Sequence, residues 1–271
     1  MALTVTNNIS SLNAQRHINR SQNGLGKSLE RLASGLRINR AGDDAAGLAI
    51  SEKLRANIRA LEQAGRNSSD GISMIQTAEG AMDEISSMLV RMKELAEQAS
   101  TGTVGTAERG YLNTEYVALR TEITRIADNT KFNETALLNG SLSVDIQIGI
   151  TSSEKITLAV SDVDSTALSL TTSISTVTNA QAALGTSTTA IGTVASRRAS
   201  LGALQNRFES VVSSIANQVE NLSAAESRIR DVDIARETAE LTKNSILVQA
   251  GVSILAQANQ LPTVALSLLA G

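Results

Sequence analysis

Two stretches at opposite ends of the chain carry the same hydrophobic repeat. Residues 18–36 read INRSQNGLGKSLERLASGL and residues 234–255 read IARETAELTKNSILVQAGVSIL. Their large aliphatic residues lie mainly seven positions apart: Ile18, Leu25, Leu29, Leu32 and Leu36 at the front, and Ile234, Leu241, Val248 and Leu255 at the back. A seven-residue apolar repeat marks a helix face that another helix must cover. We call these two sets the terminal seams, and they predict a molecule that its neighbours complete.

The same repeat runs through most of the interior. It predicts one long helix over 45–99, with a weaker middle near 67–71, and a shorter helix over 107–128 after a Gly/Thr loop. A second long helix is predicted from about residue 179 on apolar positions seven apart: Val194, Leu201, Phe208, Ile215, Leu222 and Ile229. The repeat then slips out of phase at 231–233, which predicts a bend or a domain boundary there.

Between the two long helices the apolar period changes from seven to two. Residues 142–150 alternate apolar with small or polar positions, and 156–160 do so again after a polar turn at 152–155. This alternation is typical of a β-hairpin with one buried face. The Ser/Thr-rich stretch 161–178 is expected to be the least structured part of the chain.

These elements predict a mainly α fold: an elongated antiparallel helical rod, built from long heptad helices and one short helix, with a small β-hairpin near 142–160 and paired N- and C-terminal helices. We expect a discontinuous inner-core domain of residues 1–44 and 235–271, and a rod domain of residues 45–234. The terminal seams need further helices to cover them, so they favour a polymer subunit over a catalyst.

Composition and charge exclude several classes of function. The chain has 24 basic and 27 acidic residues that are interspersed, so nucleic acid is not an expected partner. No run is apolar for long enough to span a membrane, and the first residues lack the pattern of a cleavable secretory signal. The aromatic content of 1% fits thin helical interfaces filled by aliphatic residues.

Sites for catalysis, cofactors or metals are not expected. His17 is the single histidine and there is no cysteine, so one chain cannot assemble a zinc site of His or Cys type. The zinc-protease, P-loop and dinucleotide-binding patterns are absent as well. Asp43 with Asp44, and Asp231 with Asp233, could bind a cation, but helix capping and a hydrogen-bonded turn are the favoured interpretations.

A mixed-charge cluster lies outside the apolar stripes of the first long helix. Its members are Arg91, Lys93, Glu94 and Glu97. A solvated helix face and a lateral contact surface both remain possible from the residues alone.

Ordered blocks at both ends resemble the bacterial flagellin family. The front blocks are residues 12–16 (LNAQR), 32–39 (LASGLRIN), 43–50 (DDAAGLAI), 70–73 (DGIS) and 76–80 (QTAEG). The back blocks are residues 201–207 (LGALQNR), 224–233 (AAESRIRDVD) and 255–260 (LAQANQ). The resemblance covers roughly residues 1–140 and 195–269. Glu134 departs from it, because a glycine usually follows Phe132-Asn133.

The resemblance implies a structural subunit of the flagellar filament, a helical homopolymer outside the cell that serves swimming motility, with no enzymatic activity. It implies a minimal flagellin without extra outer domains, exported largely unfolded by the flagellar type III route without a cleaved signal peptide. The partners that it implies are other copies of the chain, an export chaperone at the C-terminal helix, and the filament cap and hook-junction proteins.

Residues 90–98 (VRMKELAEQ) are similar to the patch that the flagellin-sensing Toll-like receptor reads. By motif position, Arg91 and Leu95 are implied as central contacts, with Glu115 on the neighbouring helix. Val90 and Lys93 differ from the usual Gln and Arg at those positions.

Three other functions are alternatives to a filament subunit. A hook–filament junction protein shares the terminal helices but does not form long filaments. A helical signalling module needs a membrane span or an input domain, and an enzymatic flagellin needs a metal-protease motif in the middle.

Overall fold

The computed structural model describes the backbone of residues 7–269 and the side chains of residues 7–260. Its contacts divide the chain into two compact units. The terminal unit comprises Met1–Ala56 and Asn221–Gly271, and the central unit is Asn57–Glu220. The expected inner-core domain of 1–44 and 235–271 and the expected rod domain of 45–234 have their boundaries at helix ends. The two units are divided within the two longest helices.

Five helices and two short β-hairpins make up the regular structure of the described residues. In chain order they are α1 (Ile9–Ser34), α2 (Ala45–Ser100), α3 (Thr106–Asn129), β1 (Lys131–Phe132), β2 (Thr135–Ala136), β3 (Ser143–Gln147), β4 (Lys155–Ala159), α4 (Val177–Arg230) and α5 (Ile234–Leu269). The predicted mainly α fold with one small hairpin near 142–160 is confirmed. The predicted interruption at 231–233 is confirmed as well, and α2 continues as one helix through 67–71.

Within the central unit, α2 and α4 pack antiparallel. Arg198 of α4 bonds to Asp83 of α2 at 2.8 Å, whereas Ile215, further along α4, lies opposite the earlier Gly65. The packing is close at Gly71, where an added Cβ would lie 2.7 Å from Ile146 Cδ1 and 3.2 Å from Phe208 Cζ. The hairpin β3–β4 therefore covers the helix pair with its apolar face, as its alternation predicts.

The Ser/Thr-rich segment 161–176 has no helix or strand, but it is tied to α3. Ile174 N donates to Asn113 Oδ1 at 2.9 Å, and Thr124 Oγ1 donates to Ser165 Oγ at 2.8 Å. Four apolar side chains of the segment enter the core: Val163, Leu168, Leu170 and Ile174. The segment therefore lacks regular secondary structure, as expected, but its apolar side chains are packed in the core, which was not expected.

The strands β1 and β2 form a hairpin that the sequence analysis missed. Phe132 pairs with Thr135, so the loop has only two residues, Asn133 and Glu134. Both have positive φ, 45° and 67°, as a two-residue type I′ turn requires. Both residues have a Cβ that disfavours positive φ, but the short side chain of Asn offsets this cost by local hydrogen bonding, whereas that of Glu does not.

We predict that Glu134→Gly stabilises the protein by about 0.5–1 kcal/mol, because glycine adopts the left-handed conformation without strain. This gain exceeds the loss of stability that comes from the greater flexibility of glycine in the unfolded chain. Urea unfolding monitored by circular dichroism measures this change. Glu134→Ala is the matched control, since it removes the charge and keeps the Cβ. Equal effects of the two substitutions would show that backbone strain is not the cause.

Candidate functional site

The terminal helices α1 and α5 pair antiparallel. Near the start of α1, Asn8 Nδ2 donates to Ala258 O at 2.7 Å and Ser11 Oγ donates to Asn259 Oδ1 at 2.8 Å. Near its end, Arg31 forms an ion pair with Glu237 at 3.6 Å. The start of α1 thus contacts the end of α5, and the end of α1 contacts the start of α5. The predicted pairing of the terminal helices is confirmed.

The pair is close in its middle because glycine lies there. An added Cβ on Gly251 would lie 2.7 Å from Ile18 Cγ1. Ile18 is buried, and five seam residues are half-buried: Leu25, Leu32, Leu241, Val248 and Leu255. The partial burial of these six residues is consistent with a heptad face that the pairing of α1 with α5 covers in part.

Three other seam residues are placed differently. Leu29 and Ile234 are 52% and 64% exposed, so the pairing of α1 with α5 does not cover them. Leu36 lies beyond the end of α1, because Gly35 adopts φ +73° and caps the helix. A seven-residue spacing identifies a stripe, but it does not show which members of the stripe the first partner covers.

The seven-residue spacing missed six further large apolar residues that are exposed. They lie on both terminal helices: Ile9, Leu12, Ile246, Leu247, Val252 and Ile254. With Leu29 and Ile234 we call them the uncovered stripe. The signal was present in residues 245–254, SILVQAGVSI, which hold more apolar residues than a single helix face can bury.

The segment that follows α1 contacts the segment that follows α4. Arg37 N donates to Arg230 O at 2.6 Å and Val232 N donates to Gly35 O at 3.0 Å. The Arg37 guanidinium also donates to Ile229 O at 2.6 Å, which satisfies a carbonyl at the end of α4. Leu36 and Asp231 thus form an isolated antiparallel bridge. We call residues 35–37 and 230–232 the junction.

The aspartates beside the junction act as helix caps. Asp44 Oδ1 accepts from Gly47 N at 2.8 Å at the start of α2, and Asp233 Oδ1 accepts from Arg236 N at 3.1 Å at the start of α5. Asp43 accepts from the backbone N–H groups of Arg40 and Asn39 at 3.1 and 3.3 Å. Among the described residues, no group of three His, Cys, Asp or Glu side chains could hold a metal ion.

The backbone hydrogen bond from Arg40 chiefly lowers the pKa of Asp43, with further contributions from Asn39 and Lys27. Lys27 Nζ of α1 lies 3.3 Å from Asp43 Oδ1. The carboxylate form of Asp43 therefore holds the loop that joins α1 to α2.

The mixed-charge cluster of the central unit links α2 to α3. Arg91 Nε donates to Glu115 Oε1 at 2.9 Å, and Arg91 Nη1 lies 3.1 Å from Glu94 Oε2. These carboxylates, Glu115 first, raise the pKa of Arg91. A groove of about 510 Å³ lies beside them, lined by Val90, Lys93, Glu94, Glu97 and Gln98.

Leu95 does not belong to this surface. Its side chain is 0% exposed and packs in the central core. Leu95 follows the apolar stripe of α2, so its burial is the physical reason that the expected central contact is wrong. Arg91 and Glu115 remain at the surface.

No helix in the described part of the chain is long and apolar enough to cross a membrane. The model of the bacterial flagellin N-terminal helical region matches residues 5–143, and that of the bacterial flagellin C-terminal helical region matches residues 184–269. This chain belongs to the bacterial flagellin family.

Flagellins of known sequence align with nearly the whole chain. The flagellin of Halalkalibacterium halodurans is 48% identical, with 98% of this chain and 100% of that protein covered. The flagellin of Bacillus subtilis is 42% identical with the same coverage. The flagellin family is a family of structural proteins, which agrees with the interpretation from the sequence.

Solved structures share parts of the fold. The crystal structure of Bacillus cereus flagellin is 30% identical, with a TM-score of 0.52, and the match covers 59% of this chain and 94% of that one. A putative flagellar hook-associated protein from Vibrio parahaemolyticus has a TM-score of 0.60 at 12% identity, covering 70% of this chain and 100% of that one. The second likeness shows the fold alone.

We predict opposite effects for two glycine substitutions in the terminal helices of this flagellin. Gly251→Ala forces a methyl group against Ile18 and should destabilise the α1–α5 pair by about 1–3 kcal/mol. Gly26→Ala has open space around it and should stabilise α1 by about 0.5–1 kcal/mol. Hydrogen exchange of the α1 and α5 amides measures both changes. Effects of the same sign would contradict the close packing at Gly251.

We predict that Asp43 stabilises the α1–α2 loop at neutral pH and not in strong acid. A pKa that is lower in the folded state contributes stability above the ordinary pKa of Asp, and this stability is lost as pH falls through the lowered value. Hydrogen exchange around residues 38–48 should therefore differ between the parent and Asp43→Asn at neutral pH and converge in acid. Asp70→Asn, exposed on α2, is the control. A difference that persists unchanged in acid would contradict the assignment.

Proposed function

We propose that this chain polymerises into the flagellar filament through its uncovered stripe. The observation that carries the proposal is that α1 and α5 pair with each other and still expose large aliphatic residues on both helices, such as Leu12 and Ile254. Burying one such side chain contributes about 1.5–3 kcal/mol. A few of them, buried together by neighbouring subunits, supply the free energy of subunit addition.

The contacts between subunits are heterologous, because an open helical polymer needs a rotation that does not close. The residues of the uncovered stripe would then meet a different surface on the next subunit. The expected division into an inner-core domain of 1–44 and 235–271 and a rod domain of 45–234 fits this scheme, since every residue of the uncovered stripe except Ile234 lies within the first.

Export by the flagellar type III route and masking of α5 by a chaperone form a further part of the proposal. Support comes from Ile246, Leu247 and Ile254, which a soluble subunit exposes and a chaperone groove would cover. At the filament, the same helices would meet the cap and hook-junction proteins. The absence of cysteine suits passage of an unfolded chain between compartments.

Arg91 and Glu115 are the residues that we propose for a Toll-like receptor contact. Their side chains are 49% and 45% exposed and their ion pair holds both in a fixed orientation. Leu95 would act only through packing beneath them.

A hook–filament junction protein is the less favoured alternative. The relatives at 42–48% identity over the whole chain are flagellins, whereas the hook-associated neighbour is only 12% identical. Formation of long filaments by the purified chain separates the two functions.

We predict that deletion of residues 235–271 leaves the central unit folded and abolishes polymerisation, since one helix of the terminal pair is lost. Electron microscopy after seeding tests assembly, and circular dichroism tests folding. Filaments formed by the truncated chain would refute the proposal.

We predict that Leu247→Ser combined with Ile254→Ser raises the critical concentration for assembly about a hundredfold or more, because two exposed aliphatic side chains can no longer be buried. Sedimentation of filaments from free subunits measures it. Ala250→Ser is the matched control, because it lies between them on α5 and is likewise exposed. It lowers helix propensity without removing a large apolar side chain. An equal effect of the control would point to helix stability rather than to burial between subunits.

A further inference from the structure

Two Asn-Gly steps occur in the chain, and the structure places them in different settings. Asn23-Gly24 lies inside α1, and Asn139-Gly140 lies in the exposed turn before β3. In a helix the backbone N–H of Gly24 is held in the hydrogen-bond ladder and cannot approach the preceding side chain. Among the described residues, none accepts a hydrogen bond from Gly140 N.

Two donors converge on the side-chain carbonyl of Asn139. Ser141 Oγ donates to Asn139 Oδ1 at 2.6 Å and Ser141 N donates to the same atom at 3.2 Å. A backbone N–H can only donate, so it identifies the atom as the carbonyl oxygen rather than the amide nitrogen. The hydrogen bond to Ser141 N also folds the Asn139 side chain back over the peptide that follows it.

We propose that Asn139-Gly140-Ser141 is a built-in deamidation site in which Ser141 forms an oxyanion hole. Gly140 N loses its proton to water and attacks Asn139 Cγ, and the negative charge that develops on Oδ1 is stabilised by the two Ser141 donors. The Cγ–Nδ2 bond then breaks, and the amide leaves as ammonia with a proton from water. The ring that remains is a succinimide, and one water molecule opens it to aspartate or isoaspartate.

The position of the turn gives this modification a structural consequence. Gly140 has φ +74°, and an added Cβ would lie 2.8 Å from Asp162 Cβ, so the turn packs tightly against the start of the irregular segment. Hydrogen bonds on either side join the same two segments, from Val163 N to Leu138 O at 3.1 Å and from Val160 N to Leu142 O at 3.4 Å. Isoaspartate adds a methylene to the backbone between them and a carboxylate beside Asp162. Deamidation at this site therefore accumulates with the age of the protein and weakens the packing of residues 160–163 against residues 138–142.

The test follows deamidation of the folded, unassembled full chain at physiological temperature in water labelled with heavy oxygen. Peptide mass spectrometry then quantifies label and isoaspartate at Asn139 and Asn23. We expect Asn139 to react at least about tenfold faster than Asn23, because the backbone N–H of Gly24 is held in a helix and that of Gly140 is not. Similar rates at the two sites would overturn the proposal.

Variants isolate the role of Ser141. Ser141→Ala should slow the reaction at Asn139 about two- to tenfold, the value of one neutral hydrogen bond. Ser141→Thr should keep the parent rate because it keeps the donor. Ser143→Ala, exposed two residues further on, is the matched control. A rate for Ser141→Ala equal to that of Ser143→Ala would overturn the oxyanion role. Melting curves confirm that each variant is folded, and Ser141→Thr provides a second test if Ser141→Ala is not.

Discussion

A helix pair can bury only the faces that its two members turn toward each other. In the terminal unit this limit leaves α1 and α5 in close contact at Ile18 and Gly251, while Leu247 and Ile254 beside this contact stay exposed. These two helices carry more apolar surface than their contact with each other can bury. In the function that we propose, this excess provides the free energy for adding a subunit to a polymer.

The junction keeps the terminal helices as separate elements. Gly35 ends α1, Asp44 and Asp233 begin the helices that follow, and the backbone bonds of Arg37 and Val232 tie the two chain breaks together. These hydrogen bonds satisfy backbone groups at the helix ends, and at 231–233 they coincide with the point where the seven-residue repeat slips out of phase. Local hydrogen bonds thus define where the terminal helices begin and end.

Much of the architecture could be predicted from spacing alone. The heptads of α2 and α4 and the alternation of β3 and β4 specify element type, because both periods report which side chains face the core. Burial of single residues was harder to predict. Leu95 was implied as a surface contact by the resemblance and lies in the core, because motif position does not report which side of α2 is buried. Leu29 is exposed while Ile18 is buried, because position on a stripe does not say which residues the first partner helix covers. The β1–β2 turn was missed since Glu134 lacks the glycine that marks such turns.

Accessibility of the uncovered stripe in subunit and filament tests the central claim most directly. Since the chain has no cysteine, Ile254→Cys creates a single thiol whose reaction with a maleimide reports exposure, and Ala250→Cys gives a second probe on the same helix. We predict rapid labelling of residue 254 in the free subunit and strong protection in assembled filaments. Labelling at the same rate in both states would contradict burial of this stripe between subunits.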